Sequence, residues 1–584
     1  MLARKFLMMI CATAAMAQSA PQTAPKPAPQ QAQAAAADDG GEPKYIRPET
    51  EQQRKERLGT AEDPGTNPDP SKHYWRFGHS FHIERFDRRW ANYDNQEPGF
   101  VKPFAFVNVV KEIYQQNDKY VWVWLQDITP EEMSAMQNVK APTRFTEKQL
   151  DYFKRVRSEF FETTPKRSDV TIRFEESSSG LPTSGSWRNS GTVADMNGDG
   201  CPDIVAPPER AGGQFPVIFL GDCKGNWHYW AEAKWPRSVD YGSVVAADFN
   251  KDGHMDLAFG VHLTGVYVFL GDGKGTFTDS SEGLPTGFPT RRVVISDVDG
   301  DSWPDVVAIS EGPTSARQNT AGLLPGRIRA FLNRDHGKKW ESIQVAGNDV
   351  PVAGDWLSIG HFSGAKAPEF VAANIFFNSG DTIFLAGAPK QWKSIATPEN
   401  NLSPYLSYYG ASAVGKFSTP KRDDAIVSYV RFWPTDVEED LVPAPPVKEI
   451  IGIDRISFAG PEPKRTPIVR WGGNRGVWGL GAGDFDHDGK LDFIYTRYDP
   501  REAVLMLGDG NGGFARANLD GVKLAPNTNY DIIVTDVNKD GLPDLVLMYE
   551  SAGKSAFSQR DGSIHVFLNR GVERVDTTQK TTSK

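Results

Sequence analysis

The chain has 584 residues, which is enough for two or three ordinary domains or for one large repeat architecture with an added module. Its content of 39% hydrophobic and 11% aromatic residues excludes a wholly disordered protein. The formal net charge of −10 argues against nucleic acid as a partner.

Residues 1–17 have the pattern of a secretory signal peptide. Arg4 and Lys5 precede an apolar run, and small residues lead up to Ala17, after which we expect cleavage. Lipidation at Cys11 is the alternative, but the residues before it are larger than such a cleavage site normally accepts. No later apolar stretch approaches the roughly 20 residues of a membrane span. We therefore expect a secreted protein, or one of the periplasm or cell envelope, without a membrane span.

Residues 18–44 are rich in Ala, Pro and Gln and contain no aromatic or branched apolar residue. Such a segment buries too little apolar surface to offset its chain entropy, so we expect a disordered linker. A disordered tail is also expected over residues 576–584.

Residues 45–169 are expected to form a small α+β module. "KPFAFVNVVKEIY" and "KYVWVWLQDI" read as two strands, and capping boxes begin at Thr129 and Thr146. The second box opens a predicted helix that runs through "LDYFKRVRSEFFE". His79 and His82 lie in a basic, aromatic stretch that could bind a metal or an anion, although a packing or surface role is the simpler interpretation.

Five acidic stretches then share one sequence pattern: "DMNGDGCPDIV", "DFNKDGHMDLA", "DVDGDSWPDVV", "DFDHDGKLDFI" and "DVNKDGLPDLV". Each places carboxylate or amide oxygens at positions 1, 3, 5 and 9, usually with Gly at position 6. Hard oxygen ligands at alternating positions around a Gly turn suit calcium. The predicted ligands are Asp195, Asn197, Asp199, Asp203, Asp248, Asn250, Asp252, Asp256, Asp297, Asp299, Asp301, Asp305, Asp484, Asp486, Asp488, Asp492, Asp536, Asn538, Asp540 and Asp544.

An EF-hand begins in the same way but needs a bidentate Glu at position 12 between two helices. Here position 12 is apolar in all five stretches, so the Asp at position 9 must close the calcium shell. The flanking segments, such as "GSVVAAD" and "DLAFGV", read as strands. Each acidic loop is therefore expected to join two antiparallel strands.

Two further repeats become visible in this frame, because "IGHFSGAKAPEF" and "VGKFSTPKRDDA" place Glu369 and Asp424 at position 9. His361 and Lys416 occupy their first positions, so neither repeat should hold a metal, and the Lys416 ammonium could replace the missing cation. Seven units of four strands predict an all-β, seven-bladed β-propeller with four-stranded blades, preceded by the α+β module.

The nonapeptide "FEESSSGLP" at residues 174–182 recurs as "FTDSSEGLP" at residues 277–285. The second copy is expected to be the outermost strand of the second repeat and its link to the third. The last repeat lacks an equivalent segment. We therefore expect residues 170–182 to pair with the last blade, which closes the ring with strands from both ends of the chain.

The loops and the repeat frame together resemble the FG-GAP/VCBS repeat family, whose calcium-loop propellers are similar to those of integrin alpha chains. The resemblance covers residues 170–575 and implies a propeller with about five structural calcium ions. Repeats four and five depart from the family pattern, as does Ser302, which stands where Gly is usual.

Cys201 is position 7 of the first loop, and Cys223 lies in the next hairpin turn. In an up-and-down blade these two turns lie at the same end, so a disulfide is expected, with two buried or free thiols as the alternative.

The face opposite the calcium loops is the predicted ligand site, because aromatic and Arg side chains there would surround the mouth of the central channel. The candidates are Trp187, Arg188, Tyr241, Arg291, Arg292, Trp356, Tyr409, Arg431, Trp433, Trp478, Arg497 and Tyr530. Such a funnel suits an acidic or carbohydrate-like ligand. The alternative is that these side chains plug the channel and pack between blades.

No nucleophile motif, zinc triad or nucleotide loop is evident, and no catalytic residue can be named. The chain is therefore interpreted as a scaffold that binds an extracellular or envelope protein or a glycan. The alternatives are a lyase-like enzyme acting on polysaccharide and a purely structural envelope component.

Overall fold

The computed structural model describes residues 45–46, 112–116, 119–123 and 147–573, except 211–212, 263, 311–327, 346–353, 374–380, 387–389, 397–406, 434–440, 459–462, 474 and 551–561. The predicted signal peptide, linker and tail lie outside these residues, as do the first capping box and the histidines at 79 and 82. None of the described helices is both long enough and apolar enough to cross a membrane.

The described residues before the acidic loops form a small sheet, a helix and one long strand. Strands β1 (Tyr45–Ile46), β2 (Glu112–Gln116) and β3 (Lys119–Val123) form a three-stranded sheet, in which β2 and β3 pair as an antiparallel hairpin. Helix α1 (Glu147–Val156) begins directly after the second capping box and continues into a short 3-10 helix. Strand β4 (Lys166–Glu176) follows.

The rest of the described chain is a series of antiparallel four-stranded sheets, which we call units 1 to 7 in chain order. Unit 1 contains β5 (Thr192–Ala194), β6 (Asp203–Ala206), β7 (Val217–Gly221) and β8 (Trp227–Tyr229). Unit 2 contains β9 (Gly242–Ala247), β10 (Asp256–Val261), β11 (Gly265–Gly271) and β12 (Phe277–Asp279). Unit 3 contains β13 (Thr290–Ser296), β14 (Asp305–Ser310), β15 (Ile328–Arg334) and β16 (Lys339–Gln344).

Units 4 to 6 repeat this arrangement. Unit 4 contains β17 (Trp356–Gly360), β18 (Glu369–Ala373), β19 (Asp381–Ala386) and β20 (Trp392–Ala396). Unit 5 contains β21 (Ser407–Gly415), β22 (Asp424–Phe432), β23 (Glu449–Ser457) and β24 (Lys464–Gly472). Unit 6 contains β25 (Leu480–Gly483), β26 (Asp492–Arg497), β27 (Glu502–Gly508) and β28 (Phe514–Asp520).

Unit 7 is assembled from both ends of the described chain. It contains β29 (Thr528–Thr535), β30 (Asp544–Glu550), β31 (Ile564–Val572) and, as its fourth strand, β4. Strand β4 runs antiparallel to β31, with Phe174 opposite Asn569. It also runs parallel to β28 of unit 6, so units 6 and 7 share one eight-stranded sheet.

The second strand of each unit is the most deeply buried. In β10, β14 and β30 every residue is buried, as their nearly continuous apolar sequences predict for strands covered on both faces. The first strands of units 1 to 7 contact one another in chain order, and β29 contacts β5. The fold is all-β, as predicted, and its four-stranded antiparallel sheets are consistent with a β-propeller.

The two copies of the repeated nonapeptide make the same contacts. The indole N–H of Trp227 donates to Ser177 O, and the indole N–H of Trp340 donates in the same way to Ser280 O. In each copy the backbone N–H of that same tryptophan donates to a second carbonyl two residues further on. The first copy therefore links unit 7 to unit 1 as the second links unit 2 to unit 3.

Gly180, in the first copy, shows why both copies have Gly at this position. Its φ of +92° is rarely adopted by other residues, and a Cβ there would lie 1.7 Å from Trp227 O. Strand β4 itself ends before this turn, at residue 176, and starts earlier than the predicted residue 170. Residues 177–182 continue along unit 7 as a turn, in which Pro182 O accepts the N–H of Ile564.

Candidate functional site

The five acidic loops occupy equivalent places in units 1, 2, 3, 6 and 7, and we number them by unit. Each loop leads from the first strand of its unit into the second, and its position 9 is the first residue of that second strand. Loop 1 therefore ends at Asp203, where β6 begins.

The carboxylate at position 1 organises each loop. In loop 1, Asp195 Oδ1 accepts the N–H groups of Gly198 and Asp199, at 2.8 and 3.1 Å, and its Oδ2 accepts that of Gly200, at 2.9 Å. Loop 3 has the same bond from position 6, since Ser302 N donates to Asp297 Oδ2 at 2.9 Å. Ser302 has a φ of +70°, so the chain follows the Gly-type turn although the residue is not Gly.

The carboxylate at position 9 is buried and links the loop to the third strand by hydrogen bonds. Asp203 Oδ2 accepts the N–H of Met196, at 2.8 Å, and Oδ1 accepts that of Gly221 on the third strand, at 2.9 Å. The same pair of bonds recurs in the other four loops. Burial raises the pKa of this carboxyl group to about 7 in loops 1, 2, 3 and 6 and to about 6 in loop 7.

Two loops bring three carboxylates together closely enough for a cation. Oxygens of Asp297, Asp299 and Asp301 lie within 4.8 Å of one another, as do oxygens of Asp484, Asp486 and Asp492. Loop 3 also contains an orphaned buried atom, because Asp299 Oδ1 has no hydrogen-bond partner among the described residues. Convergent carboxylate oxygens of this kind fit calcium, which takes hard oxygen ligands.

Units 4 and 5 lack the acidic loop, and their position-9 carboxylates contact other side chains and backbone groups. Glu369 accepts hydrogen bonds from Ser363 and from Ala386 N, so its carboxylate clasps its own unit. Beside Asp424 in unit 5 lies the guanidinium of Arg455, at 3.3 Å. The sequence suggested that Lys416 could supply this charge; the structure places Arg455 beside Asp424.

Cys201 and Cys223 are joined in a disulfide, with their Cα atoms 5.1 Å apart. The bond links loop 1 to the hairpin turn after β7. It lies at the end of unit 1 that carries the acidic loop.

Several predicted ligand residues form ion pairs between units. Arg188 lies 3.7 Å from Asp355 and 3.4 Å from Glu550, and Arg291 lies 3.2 Å from the same Asp355. Arg292 pairs with a carboxylate of unit 7 at 3.2 Å. Burial alone would raise the pKa of Glu550, but nearby guanidinium groups outweigh it and hold that pKa below its usual value. These arginines connect units 1, 3, 4 and 7.

Other predicted ligand residues are covered by the protein itself. Trp187, Tyr241 and Trp356 are buried in packing contacts. Arg431 is only 1% exposed and pairs with Glu159 of the 3-10 helix, while Trp433 packs against the helical segment. The side chains of residues 409 and 530 lie outside those the structure describes.

Trp478 and Arg497 do line a small open pocket between units 6 and 7. Its walls come from the strand ends remote from the acidic loops. Tyr498 is stacked by two guanidinium groups there, that of Arg475 at 3.8 Å and that of Arg501 at 5.4 Å from the ring centre. Arg475, Tyr498 and Tyr549 were not predicted, because no repeat pattern marks these positions.

A polar chain lies close to this pocket. His565 Nδ1 is 2.7 Å from Glu176 Oε1, and His565 Nε2 is 3.0 Å from Ser563 Oγ. The His565 ring also meets Tyr549, a pocket residue, edge to face. No sequence motif could reveal this chain, since Glu176 is 389 residues from His565.

Comparison with known proteins supports the repeat assignment. Residues 484–547, which run from loop 6 into unit 7, match the FG-GAP-like repeat. This match confirms the predicted repeat over these residues. No curated protein sequence gives a significant match.

Two solved structures show weak likeness to the chain. The V. cholerae biofilm matrix protein Bap1 is 14% identical with a TM-score of 0.35, over 69% of this chain and 92% of that one. The BBS1N chain from its complex with ARL6DN is 9% identical with a TM-score of 0.39, over 69% and 97% of the two chains.

Proposed function

Since the chain carries FG-GAP-like repeats, we propose that it is an exported, calcium-stabilised, seven-bladed β-propeller that serves as an interaction scaffold for an acidic glycan. Units 1 to 7 are the blades in this proposal, with β4 in unit 7, and the residues before β4 are an added segment. The pocket between units 6 and 7 is the observation that carries the ligand part of the proposal.

Calcium is the metal that these loops would hold. The loops share one backbone hydrogen-bond pattern, and loops 3 and 6 each bring three carboxylates together. Without a cation these carboxylates repel one another at close range. A bound ion would supply the positive charge that fixes each loop, and the signal-like residues 1–17 support export to a compartment where calcium and the Cys201–Cys223 disulfide persist.

The pocket chemistry favours a glycan that carries carboxylates. Arg501 lines the pocket, is solvent-exposed and can offer a planar fork to a carboxylate. Trp478, also in the pocket wall, offers a ring on which a sugar can stack. A scaffold rather than an enzyme is proposed first because the pocket offers recognition groups in contact with solvent, whereas the nearby Ser563 is only 6% exposed.

The test is calorimetric titration with an oligogalacturonate and, in parallel, a neutral oligosaccharide of equal length. We expect binding of the acidic oligosaccharide alone, weakened at least tenfold by R501A and by raised salt. R237A is the matched control, because Arg237 also lies over a tyrosine, 4.7 Å from the Tyr267 ring, but outside the pocket. Equal binding of the neutral sugar, or binding unchanged in R501A, would contradict the proposal.

Ester hydrolysis beside this pocket is the second candidate, and the chain of Ser563, His565 and Glu176 favours it. Ser563 Oγ would bond to the ester carbonyl carbon while its proton passes to His565 Nε2, and the departing alkoxide would take that proton. Water would then release the acyl group by the same route. Covalent labelling of Ser563 by a fluorophosphonate, lost in H565A, supports this activity, and absence of labelling rejects it.

A further inference from the structure

The loops differ in the charge placed beside them at the end of the third strand of each unit. Units 1, 2 and 6 have Asp at this place, at Asp222, Asp272 and Asp509, and each carboxylate accepts N–H groups within its own turn. Units 3 and 7 have Arg334 and Arg570 instead. A cation therefore faces two of the five loops.

In loop 3 this cation engages the loop directly. Arg334 Nη2 lies 2.8 Å from Asp299 Oδ2, Nη1 lies 3.1 Å from Asp301, and Nε is held by Glu341 at 3.1 Å. A second cation comes from unit 4, since Lys390 Nζ lies 3.2 Å from the same oxygen of Asp299. The Asp299 side chain is only 7% exposed, whereas the side chains of Arg334 and Lys390 are 33% and 42% exposed, so solvent screens part of this attraction.

The two oxygens of Asp299 are thus unlike. Oδ2 is shared by two cations, whereas Oδ1 is buried and has no hydrogen-bond partner among the described residues. Oδ1 remains able to bind a calcium ion together with Asp297 and Asp301. An ion bound there would be repelled by both cations, which contact the other oxygen of the same carboxylate.

Loops 6 and 7 also have a nearby cation, but a different arrangement. In unit 7, Glu175 of β4 holds Arg570 at 2.9 Å, and the guanidinium stays 3.9 Å from Asp540. In loop 6, Lys490 contacts Asp488 at 2.7 Å, but this side chain belongs to the loop itself. Only loop 3, among the loops described, has cations from two units on one buried carboxylate.

From this difference we infer that loop 3 is a low-affinity calcium site, weakened by Arg334 and Lys390, which fills only after the other four loops. Because Lys390 belongs to unit 4, calcium entry at loop 3 competes with a contact between units 3 and 4. Calcium concentration would then adjust this one junction while the rest of the ring stays loaded. The inference rests on the proposed calcium binding, and its test separates the two.

The experiment is a calcium titration of the full chain after removal of metal, followed by calorimetry. The expected result is four tight sites and one site roughly tenfold or more weaker. R334Q and K390Q should each tighten the weak site, and the double variant should merge it with the others. R570Q is the matched control. Glu175 holds Arg570 beside loop 7, so this change should leave the weak site at loop 3 unchanged.

Terbium emission assigns the weak step to its loop. Trp303 is position 7 of loop 3, where the other loops have Cys, His, Lys or Leu, so it can transfer excitation to terbium bound there. The terbium emission that accompanies the weak binding step should disappear in W303F and in D299N. Five equal sites, or a weak site that R334Q weakens further, would overturn the inference alone, whereas no calcium binding at any loop would reject the proposed function itself.

Discussion

Strand β4 offers the sharpest mutational test of how units 6 and 7 are held together. Phe174 of β4 is 3% exposed and lies in a core cluster formed by residues of units 6 and 7. Its ring centre is 6.2 Å from that of Phe485. Removing a buried Phe side chain costs about 3–5 kcal/mol, so F174A should lower the unfolding free energy by that amount.

The assay is urea unfolding of the calcium-loaded chain, followed by tryptophan fluorescence. F161A is the control, because Phe161 is 39% exposed and its loss should change stability by about 0.5 kcal/mol or less. Hydrogen exchange adds the location: amides of β31 should exchange faster in F174A, while those of β10 should not. A loss in F174A no larger than that in F161A would show that β4 does not hold units 6 and 7 together.

Three further predictions concern single contacts. G180A should be clearly less stable than G571A in thermal melts, because both have positive φ but only the Cβ at residue 180 would meet backbone oxygen at 1.7 Å. The pKa of Glu550 lies below its usual value, so its stabilisation is present above that usual pKa and is lost as pH falls below it. E550Q should therefore be less stable than the wild type near neutral pH, with a smaller difference near pH 3, as measured by melting at each pH. Replacing Cys201 and Cys223 by Ser should cost about 3 kcal/mol in urea unfolding, since the bond closes a loop with a sequence separation of 22; an unchanged midpoint would contradict this.

The acidic loops were predictable because their geometry is local. The position-1 carboxylate accepts hydrogen bonds from backbone N–H groups only a few residues away, so the sequence of the loop alone predicts this pattern. The alternation of loops and apolar runs likewise predicted an all-β fold, which the structure confirms. The sequence of a loop does not predict charges that come from other parts of the chain, such as those of Arg334 and Lys390 beside loop 3.

The internal copy of the nonapeptide predicted where the first segment would lie, because the two copies repeat the same tryptophan contacts. It could not predict the parallel pairing of β4 with β28, since β12, the strand of the second copy, is the edge strand of its four-stranded sheet. Nor could it predict that the strand begins at residue 166.

The ligand face was the least predictable part. Counting back from each loop located side chains at the start of each unit, but their partners lie far away in sequence: Arg188 is 362 residues from Glu550. Arg431 is buried because a helix from the other end of the chain covers it, and its own sequence neighbourhood gives no sign of this contact. Exposure of such residues depends on tertiary packing, which a repeat pattern does not specify.

The most direct test of the whole account is the metal content of the purified chain after exhaustive dialysis against micromolar and then millimolar calcium. Elemental analysis should find about four calcium ions per chain at the lower concentration and about five at the higher, as the loop ligands imply. Fewer than one ion per chain at millimolar calcium would contradict the claim that these loops are calcium sites.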